Sequence, residues 1–261
     1  GVYEALAASP YLPDWVAGIS IGAINAAIIA GNAPERRVAQ LRRFWETITE
    51  PPPLWPAGLE RREMGAWRAL MLGQPGFYAP RPPFAWLQPL GPTSIYDTSA
   101  LRGTLEALVD FDRINARETR FSVADNTETR IRPEHVMASG ALPPGFPAVE
   151  IDGRHYWDGG LVSNTPLQYV LESHPKVSRL AFQVDLFPAR GRLPTNLVEA
   201  AEREKDIRFS SRTRAGNEQL RMLQNVQHEF LALWEQLPPK IRAMPEAQSL
   251  YERSRHARLV D

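Results

Sequence analysis

Near the start of the chain, Gly18-Ile19-Ser20-Ile21-Gly22 sets a serine between two glycines. The residues before it, Asp14 to Gly18, form a short run with β-branched and aromatic members bounded by Pro13 and Gly18, which predicts a strand. Those after it, Ala23 to Ala30, predict a helix of small and apolar residues. The G-x-S-x-G pattern gains meaning from that context. A serine on a tight strand-to-helix turn is forced outward, and glycines on either side remove Cβ atoms that would collide there. The helix aims its N-terminus at the same spot, so free backbone N–H groups, Ile21 N–H foremost, and a positive partial charge favour an oxyanion. The chemistry would be attack by the Ser20 hydroxyl on a carbonyl carbon. Without that context, the same five residues are a small-residue turn for close packing.

A serine nucleophile needs a base. The five histidines, His135, His155, His174, His228 and His256, occupy no obvious Asp- or Gly-flanked turn. Asp158, in Trp157-Asp158-Gly159-Gly160, is a better candidate. Val149-Glu150-Ile151 and Tyr156-Trp157 predict strands leading into it, and two glycines after a carboxylate permit a sharp turn and a close approach of another segment. An Asp-Gly pair taken alone is also an ordinary β-turn.

Taken together, these two corners resemble those of the patatin-like phospholipases. So do the run Ala138-Ser139-Gly140-Ala141-Leu142-Pro143-Pro144-Gly145-Phe146-Pro147 ahead of the acidic turn and Leu161-Val162-Ser163-Asn164-Thr165-Pro166 after it. Four motifs in this order make the resemblance specific over about residues 1 to 175. It implies an α/β fold, a three-layer α/β/α arrangement around a mostly parallel central sheet. It also implies a Ser–Asp dyad instead of a triad, with Ser20 as nucleophile and Asp158 as base, Gly18, Ile21 and Gly22 as elbow and oxyanion support, and Gly159 and Gly160 completing the acidic turn. A free carboxylate, with a pKa of about 4, is a weak base toward an alcohol, so burial would have to raise the proton affinity of Asp158. The implied reaction is acyl transfer from a lipid or other ester through an acyl-enzyme.

The resemblance also raises expectations about what surrounds these motifs. The family has a glycine-rich oxyanion loop shortly before the point corresponding to Gly1, and Gly1 to Leu6 resembles the helix after it. After the strand ending near Val123, a turn and a second strand are expected, yet Val123 runs directly into Ala124-Asp125-Asn126; a similar abrupt joint is expected near Leu250–Tyr251.

The elements that must position these groups follow from patterning. Val2 to Ala8 reads as the end of a helix; Gly31 is a natural left-handed cap, and Pro34-Glu35 opens a helix carrying Val38, Leu41, Phe44, Trp45 and Ile48. Pro51 to Pro92 is rich in proline and aromatic residues, an insertion or lid that forms one wall of an acyl pocket or packs as an ordinary insertion. Asp97-Thr98 opens a helix with Leu101, Leu105 and Leu108 on one side; Thr119 to Val123 and Arg179 to Leu186 read as strands. From Leu220 to Leu237 an apolar rhythm of three to four residues predicts a packing helix within a charged tail. The expected division is a catalytic domain over 1–190, containing the 51–92 insertion, and a helical C-terminal extension over 191–261.

Composition excludes several alternatives. Thirty basic residues balance thirty acidic ones among 261, which argues against a nucleic-acid partner. With no cysteine there is no disulfide framework, no thiolate nucleophile and no Cys-based metal site, and the histidines and carboxylates do not cluster at ligand spacing, so neither metal nor cofactor is expected. The uncharged stretch from Trp15 to Pro34 reads as a buried strand and helix, not a membrane span. Without a signal segment, a cytoplasmic protein is expected, meeting a membrane surface only peripherally and transiently. Two other functions fit the same residues: a relative that binds lipid or a granule surface without turnover, and an α/β-hydrolase with a Ser-His-Asp triad using a histidine such as His174.

Overall fold

The computed structural model describes residues 1–50, 62–87, 91–123, 129–162, 166–173 and 180–254. The chain divides into two compact units, Gly1–Val162 and Ser163–Asp261. The first unit begins with helix α1 (Val2–Ala7), strand β1 (Trp15–Ala17) and helix α2 (Ile21–Ala30). Helices α3 (Pro34–Thr49) and α4 (Arg62–Leu72) follow, then strands β2 (Ala79–Pro80) and β3 (Tyr96–Asp97). Next come α5 (Ser99–Leu108), α6 (Phe111–Asn115), β4 (Arg120–Ser122), α7 (Pro133–Ser139) and the hairpin β5 (Val149–Ile151) and β6 (Arg154–Tyr156).

The fold is α/β. Strands β1 and β4 pair in parallel, with Val16 opposite Phe121, and the ladder continues into the serine turn as Gly18 N–H donates to Ser122 O at 3.1 Å. The Trp15 indole N–H donates to the Ser122 hydroxyl at 3.0 Å, tying the same two strands through their side chains. Strands β2–β3 and β5–β6 form antiparallel pairs.

Helix α2 is the centre of the unit. Ala23, Ile24, Ala26, Ala27, Ile28, Ile29 and Ala30 are all buried, and the partly exposed Ile21, Gly22 and Asn25 are confined to the first half of the helix. Around it pack Phe44 and Ile48 of α3, Leu101, Leu105 and Leu108 of α5, Phe121 of β4 and Val136 of α7. The uncharged stretch is thus a partly buried strand and a largely buried helix, and no described helix is long and apolar enough to cross a membrane. A buried cation braces the same layer. Arg37, only 3% exposed, donates from Nε to Asn32 O at 3.0 Å, from one terminal nitrogen to Thr119 Oγ1 at 2.6 Å and from the other to Tyr3 Oη at 3.3 Å.

Two local expectations change in this unit. Gly31 does cap α2, but with φ −84° and ψ 11°, outside the left-handed region. What requires glycine is proximity, because a Cβ there would lie 2.6 Å from Val109 Cγ1 and 3.0 Å from Ala27 O. The prolines of the 51–92 insertion argue against regular structure for long, yet the stretch between them forms the 11-residue helix α4. Beyond it Phe77, Tyr78, Tyr96 and Phe146 form a cluster of mostly edge-to-face rings with centroids 4.8 to 6.0 Å apart.

The second unit contains α8 (Leu167–Glu172), the 38-residue α9 (Leu197–Trp234), α10 (Pro239–Arg242) and α11 (Pro245–Ser254). Asn196 caps α9 by accepting from Glu199 N–H at 2.9 Å. Leu220 is buried, Leu223 and Val226 are exposed, and Trp234 stacks on Tyr251 of α11 at 4.5 Å. Leu237 lies past the end of α9, ahead of Pro238 and Pro239, so the expected rhythm overruns the helix by one turn.

Residues 180–186 form no strand, and Leu180, Phe182, Val184 and Leu186 are exposed. Alternation alone does not make a strand; a second strand must lie alongside, and among the described residues none pairs with this segment. Leu250 and Tyr251 lie inside the continuous helix α11, so the expected break is not there. At the other expected joint, Ala124 to Asn126 fall outside the described residues.

Candidate active site

Ser20 occupies the joint between β1 and α2, where it is the N-cap residue, with φ 57° and ψ −128°. A non-glycine residue seldom adopts this geometry, and holding it costs about 1–3 kcal/mol, supplied by the surroundings. Gly18 explains how the turn closes. A Cβ on Gly18 would sit 2.2 Å from both the carbonyl carbon and oxygen of Gly22 and 2.7 Å from Ala23 N, so only glycine lets the strand end lie against the first helical turn. Gly22 corrects the symmetrical expectation for the two glycines, since a Cβ there meets nothing within 4 Å.

Several backbone groups around Ser20 are committed. Gly22 N–H donates to Ile19 O at 2.9 Å, while Ser20 O accepts from Ala23 N–H at 2.9 Å and from Ile24 N–H at 3.3 Å. The Ser20 N–H donates to the side-chain hydroxyl of Ser139 at 3.0 Å. Ile21 N–H, at the start of the helix, has no intrahelical acceptor, and it donates to no acceptor among the described residues. A helix N-terminus with an uncommitted donor favours negative charge.

Asp158 follows the β5–β6 hairpin and caps the 3-10 turn Gly159–Leu161. Its Oδ1 accepts from Gly160 N–H at 2.7 Å, its backbone N–H donates to Ala141 O at 3.0 Å, and the residue is 4% exposed. The Ile19 side chain packs over both glycines of the turn, with Cγ2 lying 3.5 Å from a Cβ built on Gly159 and 3.9 Å from one built on Gly160. The serine corner and the acidic corner therefore meet through Ile19 as well as through their functional groups.

Burial pushes the Asp158 carboxyl pKa up, while the neighbouring Ser20 side chain and the hydrogen bond from Gly160 N–H pull it partly back. The net direction is upward, toward a better base. Ser20 and Asp158, 138 positions apart in sequence, are thereby brought together with the Ile21 N–H beside them. Such an arrangement can transfer a proton from the hydroxyl to the carboxylate while the oxygen attacks an electrophile.

No histidine figures among the groups that perturb Asp158. His135 instead accepts the Arg132 N–H on Nδ1 at 3.1 Å at the start of α7, and burial lowers its pKa. His155 lies on β6 and His228 on α9, while His174 and His256 lie outside the described residues. Among the described residues, no three His, Asp or Glu side chains gather to hold a metal.

Ser139 is the member of this constellation that motif reading did not single out. It appears in the sequence within the Ala138–Pro147 run, but its hydroxyl serves a backbone N–H 119 residues away, a link that spacing does not carry. The family model for patatin-like phospholipase matches residues 1–171, which includes both corners. No curated protein matches the chain.

Proposed function

The chain belongs to the patatin-like phospholipase family, and from that premise we propose that it cleaves lipid carboxylic esters with a Ser20–Asp158 dyad through an acyl-enzyme. Family membership itself implies a hydrolase acting on lipid esters. The single observation that carries the finer reading is the meeting of the Ser20 side chain with the buried, proton-avid Asp158 carboxylate.

In this mechanism Asp158 accepts the Ser20 proton as Oγ attacks the ester carbonyl. The oxyanion that forms takes the Ile21 N–H and the positive end of α2 as its stabilisers. The proton then passes to the leaving alcohol or lysolipid, and the acyl group stays on Ser20. A water molecule gives its proton to Asp158 and attacks the acyl-serine, and the fatty acid is released as Asp158 returns that proton to Ser20 Oγ. One carboxylate thus acts as base in each half-reaction and as acid between them.

The ring cluster of Phe77, Tyr78, Tyr96 and Phe146 supplies an apolar wall suited to an acyl chain. It is anchored to the segment after α7, because Ile95 N–H donates to Pro144 O at 3.0 Å and Tyr96 N–H to Gly145 O at 2.9 Å. Nearby in sequence, Leu70, Met71, Leu72, Phe84, Trp86 and Leu87 are exposed, which suits brief contact with a lipid surface.

The test is covalent. A fluorophosphonate should label Ser20, and labelling should vanish in Ser20→Ala. Hydrolysis of a panel of phospholipid, lysophospholipid and p-nitrophenyl esters should be lost in Ser20→Ala and Asp158→Ala and survive each single His→Ala change. A wild-type chain that takes no label and turns over none of these esters would instead be a lipid-binding module.

A further inference from the structure

We propose that Ser139 is a positioning residue for the reaction, holding the Ser20 backbone in its strained geometry, within a three-residue clamp that also fixes Asp158. The inference rests on the Ser20–Asp158 reading and goes beyond it by naming what sets the distance between the two groups.

Ser139 is the last residue of α7 and is 6% exposed. Its hydroxyl accepts the Ser20 N–H at 3.0 Å. Two residues later, Ala141 O accepts the Asp158 N–H at 3.0 Å. One short segment therefore grips the backbone N–H of both residues, from a helix end that is itself held in the core by Val136.

The grip acts on the angle that matters. The φ of Ser20 is the rotation between its N–H-bearing peptide plane and its Cα, and that plane is pinned at only two points. On one side Gly22 N–H holds Ile19 O at 2.9 Å, and on the other Ser139 Oγ receives the Ser20 N–H. The first contact lies within the turn and moves with it. The second comes from another part of the fold, so it is the one that refers the nucleophile to the base. A residue at φ 57° without that restraint relaxes toward the ordinary region and swings Oγ away from Asp158.

Ser139→Ala removes the acceptor with the smallest change in volume. Misplacing a reacting group by about 1 Å can cost 10²-fold in rate, so fluorophosphonate labelling and kcat should fall about 10- to 100-fold while KM stays close to wild type. Ser139→Thr keeps the hydroxyl and should recover most of the rate. If Ser139→Ala does not fold, Ser139→Cys, of similar shape but a poor acceptor, carries the same expectation.

Wild type and Ser20→Ala are run alongside to separate the two levels of argument. Failure of wild type to label at Ser20 removes the dyad reading and the clamp with it. Labelling of wild type with an equal rate in Ser139→Ala overturns the clamp alone. A loss shared equally by Ser139→Ala and Ser139→Thr, or one appearing in KM with kcat intact, assigns Ser139 to packing and likewise overturns it.

Discussion

The two glycines of the serine turn should respond to the same substitution with opposite signs. In Gly18→Ala the new Cβ falls 2.2 Å from the Gly22 carbonyl carbon and oxygen, against an ordinary contact distance of at least 3.4 Å. Roughly 1.2 Å of movement is therefore demanded of backbone, and neither β1, paired to β4, nor the first turn of α2, held in the core by Ala23 and Ile24, can give that freely. Overpacking of this kind costs about 1–3 kcal/mol. At about 2–4 °C per kcal/mol for a chain of this size, the melting temperature should fall by several degrees. Because the displaced atoms flank Ser20, fluorophosphonate labelling should drop by about 10²-fold. Gly22→Ala places its Cβ in open space on a helical residue, and exchanging glycine for alanine in a helix gains at most about 0.5–1 kcal/mol. That variant should melt at or slightly above the wild-type temperature. Thermal unfolding monitored by circular dichroism, with labelling rates measured in parallel, reads both effects. Equal stability and equal labelling of Gly18→Ala and wild type would refute the close-approach argument for the turn.

Two other perturbations follow from the same geometry. Asp158 must be ionised to act as base, and its pKa is raised by burial, so kcat/KM should decline with falling pH through a value above the usual carboxylate range. Asp158→Asn should lower kcat by about 10²–10⁴-fold. The stability sign is the reverse: a carboxyl that binds its proton more tightly when folded loses stability as pH rises from its unfolded to its folded pKa, and the loss persists above that window. Asp158→Asn should thus melt higher than wild type at neutral pH, with the gain disappearing in acid below the unfolded value. Arg37→Met removes a buried cation and strands the Asn32 carbonyl and the Thr119 hydroxyl, which should cost about 1–3 kcal/mol in urea unfolding.

Sequence made the local parts of this site readable, because each depends on near neighbours. The run before Ser20 is short and apolar, with β-branched and aromatic members between Pro13 and Gly18, as a strand requires, and the small apolar residues after it suit a helix set into the core, as α2 is. Asp158-Gly159-Gly160 likewise declares its own turn. What sequence could not carry was proximity across the fold. Gly31 looked like a left-handed cap because glycine usually fills that role, yet here Val109 presses against it. Leu180 to Leu186 alternate like a strand, but strand formation depends on a distant neighbour, and these residues form no strand. Ser139 gave no sign at all, since an acceptor for a distant N–H has the same one-letter code as a surface serine.

The turn at Asp158 also decides which acid can occupy that position. One oxygen is bonded to Gly160 N–H at 2.7 Å, which restrains rotation of the carboxyl group and, under the proposed dyad, would leave the other oxygen to take the proton. Under that proposal the arm would be aimed before any ester arrives, and little energy would go into orienting it during the reaction. Glutamate would bring equal charge on a longer tether; reaching back to the same amide would carry its second oxygen off the line to the hydroxyl. At this corner, side-chain length matters as much as acidity.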